Sequence, residues 1–329
     1  MSENVRRPVE ASSLSIPTTA CTPRRLLVGQ SALATALAAL LTLVAAWPAH
    51  AATSAYATPE AALQAFGAAV NGEDGKGLLD LFGKEHEADL IGGDPAEARQ
   101  NLAALRRMAA QSMTLEPDGE DRMTIVMGRR GWPMPVSLVN GPSGWTFDVK
   151  EGLQEITDRR VGRNELSTIE FCKAYIEAQR QYASADHDND GVLEFAQRLQ
   201  SSEAQQEGLY WKAGADGVVS PLGPLAASAE QYLQLRKAGE PFHGYHFRIL
   251  TGQSAAAPGG KYSYVINGNM VAGFAMIAWP ADYPRSGIMT FQCGHNGQIL
   301  EKDLGPETGK LATGITTFDP DKGWTEVIE

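Results

Sequence analysis

The sequence predicts an α+β protein in which helices lead into an antiparallel sheet, and the order then repeats. Three observations carry this reading. Leu63, Phe66 and Val70 recur at helical spacing after Thr58–Pro59, and strand-like pieces broken by Gly and Pro fill 122–149. A second helical stretch, 165–186, precedes four strand-like segments between 244 and 304. Helices segregated from antiparallel strands define the class. The expected layout is N-terminal helices on a curved sheet, then a long helix packed on a four-stranded sheet.

The first residues read as a leader. Arg24 and Arg25 precede the uncharged run "SALATALAALLTLVAAWP", which ends in Ala49-His50-Ala51. A basic flank, a short apolar segment and small residues at −3 and −1 describe a secretory signal peptide cut between Ala51 and Ala52. A transmembrane anchor is the alternative, but 18 Ala-rich residues lie near the lower limit for a span, which favours cleavage. "TPRRLLVG" fits a twin-arginine route in part, leaving the choice between general secretion and that route open. No Cys directly follows the run, which argues against a lipoprotein. The expected organisation is 1–51 signal peptide, 52–158 an N-terminal α+β domain and 159–329 a C-terminal domain, with the mature protein periplasmic or secreted.

Residues 1–51 hold four of the basic side chains and two of the acidic ones. The 278 residues after them carry 24 basic and 37 acidic side chains, a net −13. Such a surface repels phosphate backbones and anionic lipid. It excludes nucleic acid as the expected partner and limits membrane contact to the signal peptide. A protein or envelope partner fits better.

In the N-terminal part, Thr58 and Pro59 suit a helix start, Lys76–Phe82 a short helix, and Asp94-Pro95-Ala96-Glu97 a capped third. Leu102, Leu105 and Met108 continue the apolar face of that third helix. "RMTIVMG", "PVSLVN" and "GWTFDV" read as strands. In the C-terminal part, Asn164 suits a helix cap, with Ile169, Cys172, Tyr175, Ile176, Tyr182 and Ala183 on one apolar face that Gln179 interrupts. A further helix is expected over 226–237. Strands follow at 244–252, 271–279, 287–293 and 298–304, and Asn296-Gly297 is a strong hairpin signal between the last two.

Together "GWPMPVSLVN", "DRRVGRNELSTIEFCKAYIEAQRQYA", "DHDNDGVLEFAQRLQSSEAQQEGLYW" and "MTFQCGHNGQILEKDLG" resemble a bacterial exported family known only as domain of unknown function 2950. The resemblance implies export and a shared fold, and brings no catalytic residues with it. The opening "TPEAALQAFGAAVNGED" is similar to the start of NTF2-like cone domains. The second half resembles pseudopilin heads, although it lacks their methylated N-terminal helix.

Asp186, Asp188 and Asp190 alternate before Gly191, as in loops that turn several oxygens toward one hard cation. In that spacing Val192 offers a carbonyl and Glu194 takes position nine, but Gln197 stands where a bidentate Glu belongs. Two readings stand: a structural calcium loop, or a polar turn that ends the helix. Cys172 and Cys293 each face a core, so either a disulfide or two buried thiols is expected. Arg159, Arg160 and Arg163 form either an anion site or an ion-paired junction. His243 with His246, Cys293 with His295, and a cleft of Trp132, Trp145, Tyr210 and Trp211 are further candidates. Serine-hydrolase, phosphate-loop and metalloprotease motifs are absent from the sequence. The leading expectation is a non-enzymatic binding, assembly or envelope-architecture protein. The alternatives are an envelope hydrolase with an inter-domain site and a small-ligand carrier with a cavity in the first domain.

Overall fold

Helix α1 (Pro59–Asn71) starts where the Thr58 hydroxyl accepts from Ala61 N–H, with Pro at the first turn. The computed structural model describes residues 54–328 apart from 73–74, 203–204, 213–217, 229–236, 238–239 and 322. The leader reading of 1–51 and most of the helix expected over 226–237 fall outside those residues. Helices α2 (Lys76–Phe82), α3 (Glu87–Ile91) and α4 (Pro95–Gln111) follow. Asp94 caps α4 by accepting from Glu97 N–H at 3.0 Å.

The first sheet runs β1 (Met113–Pro117), β2 (Arg122–Met127), β4 (Leu138–Gly141), β5 (Gly144–Phe147), and the short β3 (Trp132–Pro133) also pairs with β2. All its pairings are antiparallel. Its core joins Phe66, Phe82 and Phe147 to Ile125, Met127 and Leu138. Phe82 and Phe147 meet edge to face at 5.6 Å.

Helix α5 departs from the expected 165–186. It spans Val149–Tyr182, capped by Asp148 rather than Asn164. Asn164 is buried in mid-helix and donates to Ser286 O at 3.0 Å. Gly152 and Gly162 dilute the helical pattern of the early turns. Gly152 is required by packing, since a Cβ there would come within 2.6 Å of the Val136 side chain. Position 158–159 therefore lies inside one continuous helix, and the described residues form one compact unit.

Beyond α5, β6 (Arg198–Gln200) and β7 (Gly208–Tyr210) pair in parallel, and α6 covers Gly223–Ser228. The second sheet contains β8 (Tyr245–Leu250), β13 (Ala275–Pro280), β14 (Met289–Gly294) and β15 (Ile299–Asp303) in antiparallel order. It gains a short edge strand, β16 (Thr325–Glu326), beyond the four expected. Two small ribbons, β9 (Gly252–Gln253) with β10 (Tyr262–Ser263) and β11 (Val265–Ile266) with β12 (Asn269–Met270), connect β8 to β13. The second core gathers Cys172, Tyr175 and Ile176 of α5 against Met276, Phe291 and Cys293.

Candidate functional site

The first site is a groove. Pro95 and the Asp94 cap fix the start of α4, which then carries Leu102, Leu105 and Met108 across α2 and α5. These three side chains are only half-buried, whereas Leu78 and Phe82 of α2 beneath them are buried. Between α2, α3, α4, Trp132–Pro135 and α5 lies a space of about 540 Å³, bordered on α5 by Ile156, Arg159, Arg160 and Arg163. Four guanidinium groups border it, counting Arg99, against one carboxylate, Glu87.

Each of the three arginines singled out by sequence also has a place in the fold. Arg159 donates to Glu155 at 2.6 Å, and Arg163 pairs with buried Glu97. Arg160 is 4% exposed and donates to the carbonyls of Asp89 (2.8 Å) and Leu90 (3.2 Å) at the end of α3. One Nη of Arg160 and Oε2 of Glu97 are buried without a hydrogen-bond partner.

Bonds from the α4 cap, α3 and the middle of α5 reach the segments around the second sheet. Asp94 accepts from Gly244 N–H at 2.8 Å through its second oxygen. Glu165 accepts from both Ile288 N–H and Met289 N–H at 2.9 Å. Arg285 donates to Asp89 at 2.7 Å, beside a second groove of about 570 Å³ that His86 and Asp158 also line. His86 Nδ1 lies 3.6 Å from Asp89. Partial burial opposes ionisation of Asp89, but the Arg285 hydrogen bond and charge, aided by His86, hold its pKa below the usual carboxylate value. A carboxylate fixed in its charged form joins elements well and is a weak proton donor at neutral pH.

The acidic loop follows α5 directly. Carboxylate oxygens of Asp186, Asp188 and Asp190 lie within 4.8 Å of one another, the one such acidic or metal-ligating group among the described residues. Asn189 at φ 63° and Gly191 at φ 84° fold the loop around Asp186. Asp186 accepts from Gly191 N–H at 3.0 Å and from Asn189 N–H at 2.7 Å. Those bonds, Gly191 foremost, hold its pKa below the ordinary Asp value. Glu194 is outside the cluster and accepts from Met270 N–H at 2.9 Å, while Val192 donates its N–H to Asp190 at 2.8 Å. Asp190 also accepts from Asn269 at 2.6 Å, and Gln197 donates to Gly268 O at 2.7 Å. The loop is thus strapped to the β11–β12 ribbon.

The family described as "Protein of unknown function (DUF2950)" matches residues 53–327. The chain belongs to that family. No curated protein and no solved structure matches it.

In this DUF2950 chain the other candidate groups separate. Cys293 is bonded to Cys172, with Cα atoms 5.7 Å apart, so it presents no thiol to His295. His295 lies just beyond β14, with Nδ1 buried and without a hydrogen-bond partner. Tyr264 and Phe274 stand around its ring at 5.6 and 6.2 Å, and burial lowers its pKa. His243 sits in a turn at φ 47°, against Phe242, while His246 is on β8 against Trp279. The four aromatics do not make one cleft. Trp132 and Trp145 pack against the first core, and Tyr210 and Trp211 belong with the second. One residue that interrupted the sequence pattern proves central. Gln179, 0% exposed, exchanges 2.8 Å hydrogen bonds with Ala196 N–H and O, fastening the segment after the acidic loop to α5. Among the described residues, no helix is long and apolar enough to cross a membrane.

Proposed function

We propose that this is an exported, non-enzymatic binding protein whose ligand occupies the groove beside α4. One observation carries the reading: Leu102, Leu105 and Met108, packed against the first core and half-buried among the described residues, line a space of about 540 Å³. Apolar surface left to water forgoes about 25 cal/mol per Å², and occupied ligand sites run from about 300 to 1,000 Å³. The test uses N-phenyl-1-naphthylamine, a neutral apolar dye. Its fluorescence should rise and saturate with the mature protein and stay low with Leu105→Trp. Equal signals from the two proteins would end the reading.

Two parts of the reading are architectural. Export to the periplasm or medium is proposed from the leader-like segment before residue 52. The acidic loop is proposed as a calcium staple, with Asp186, Asp188 and Asp190 as carboxylate ligands, Val192 supplying a carbonyl and Glu194 bracing the β11–β12 ribbon. An envelope hydrolase would have to be built on His86 and Asp89 in the second groove. The lowered pKa of Asp89 and its link to Arg285 favour a structural use of those groups.

A further inference from the structure

We infer that the ligand of the α4 groove is a long-chain aliphatic carboxylate, its hydrocarbon along α4 and its head at Arg159 and Arg163. The inference rests on the groove being a ligand site, as proposed above, and adds the chemistry of what enters it.

The full chain carries a net −11, yet four guanidinium groups and Glu87 border the groove, three of the four also ion-paired to Glu240, Glu155 and Glu97, which do not line it. Two of those arginines have fixed duties. Arg160 is buried on the end of α3, and Arg99 pairs with Glu240 at 2.8 Å. Arg159 and Arg163 are ion-paired too, but their side chains remain 44% and 53% exposed, against 37% for Arg99. They stand four residues apart on α5, hence on one face. Arg159 uses Nε to hold Glu155, and Arg163 uses one Nη to hold Glu97. A guanidinium carries five N–H donors, so these bonds orient each fork without exhausting it. A planar fork matches a carboxylate in two-pronged fashion.

The apolar end is equally definite. Leu78, Phe82, Leu102, Leu105, Met108 and Trp132 line the groove, a surface that offers contacts to methylenes. A compact hydrophilic anion would leave that surface wet, and a neutral hydrocarbon would leave the remaining donors of Arg159 and Arg163 to water. An aliphatic acid satisfies both.

Binding of cis-parinaric acid, a fluorescent polyene fatty acid, reads this directly, with palmitate and 1-hexadecanol as competitors of equal chain length. Palmitate should displace the probe at least about tenfold more effectively than the alcohol, the worth of a charge-assisted hydrogen bond. Arg159→Ala should weaken palmitate by several-fold, leave hexadecanol unchanged and leave the melting temperature within a degree or so, since its Glu155 partner is exposed. Leu105→Trp, with Ala104→Leu as a gentler filling variant, should lower affinity for both competitors. If acid and alcohol compete equally while the neutral dye still binds and Leu105→Trp still blocks it, the carboxylate inference fails and the groove stands. If neither parinarate nor the dye binds, or filling the groove changes nothing, both fail.

Discussion

One helix borders both halves of the molecule and meets them differently. Toward its C-terminus, Cys172, Tyr175 and Gln179 of α5 are each at 0% exposure against the second sheet. Tyr175 donates to Ala275 O at 3.1 Å and meets Phe274 edge to face at 5.6 Å. Toward its N-terminus, Ile156 is half-buried, Arg159 and Arg163 are exposed, and α4 opposite is buried in full at Ala96 and Glu97 alone. Among the described residues the second half is held by packing, a disulfide and buried hydrogen bonds such as those of Tyr175 and Gln179. In the first half, Leu102, Leu105 and Met108 pack against the core yet remain half-buried among the described residues. A rigid half that holds one wall of a loosely filled half is a sound arrangement for binding, because α5 orders that wall before any ligand arrives.

The largest effect should come from the cross-link. The bond between Cys172 and Cys293 closes a separation of 121 residues. Loops of that order are worth roughly 3–5 kcal/mol in the chain-entropy account. Cys172→Ala with Cys293→Ala should lower the unfolding free energy by about that much in urea titrations. A loss under about 1 kcal/mol would show that the second half does not depend on its staple, and the contrast between halves would weaken.

Packing gives a direct test of the same contrast. Phe274 is 2% exposed and touches the rings of Tyr175, Phe195 and His295. Phe274→Ala should cost about 3–5 kcal/mol. Leu105→Ala on α4, where the side chain is half-buried against the first core, should cost less, about 1–2 kcal/mol. Equal losses would mean that the α4 face is core and that no binding surface has been left there.

Sequence periodicity reached the α+β class and most elements because their apolar spacing is regular. Lys76–Phe82 and the Asp94 cap are cases where a local signal and the structure coincide. It failed at Val149–Asn164 because that part of α5 crosses close to the first sheet on Gly152 and carries three arginines, so no simple stripe survives. The groove is invisible for a different reason. Leu102, Leu105 and Met108 have the spacing of any core-facing helix, and spacing does not record how far away the opposite wall stands. Gln179 shows the converse: a polar residue on an apolar face that looks like an error is satisfied by Ala196, 17 residues on, which no local pattern encodes.

The smallest expected effect concerns the acidic loop, and it sharpens the comparison because it acts on the closed half alone. Without a cation, three carboxylates within 4.8 Å repel one another and are held together by backbone N–H donors and by Asn269. Exterior calcium loops bind at about 10⁻⁴–10⁻³ M, so about 10 mM Ca²⁺ should raise the melting temperature by a few degrees through mass action on the folded state. Asp188 is exposed; its carboxylate accepts from Asp190 N–H at 3.3 Å and lies against that of Asp186, which two backbone N–H groups also hold. Asp188→Ala should therefore leave the calcium-free melting temperature nearly unchanged and abolish the calcium shift. Because the loop is strapped to the β11–β12 ribbon, calcium should also leave dye affinity at the α4 groove unaltered. Absence of any shift in the native protein ends the staple; a shift that carries groove affinity with it would show that α5 transmits strain between the halves, and the two would then have to be treated as one coupled body.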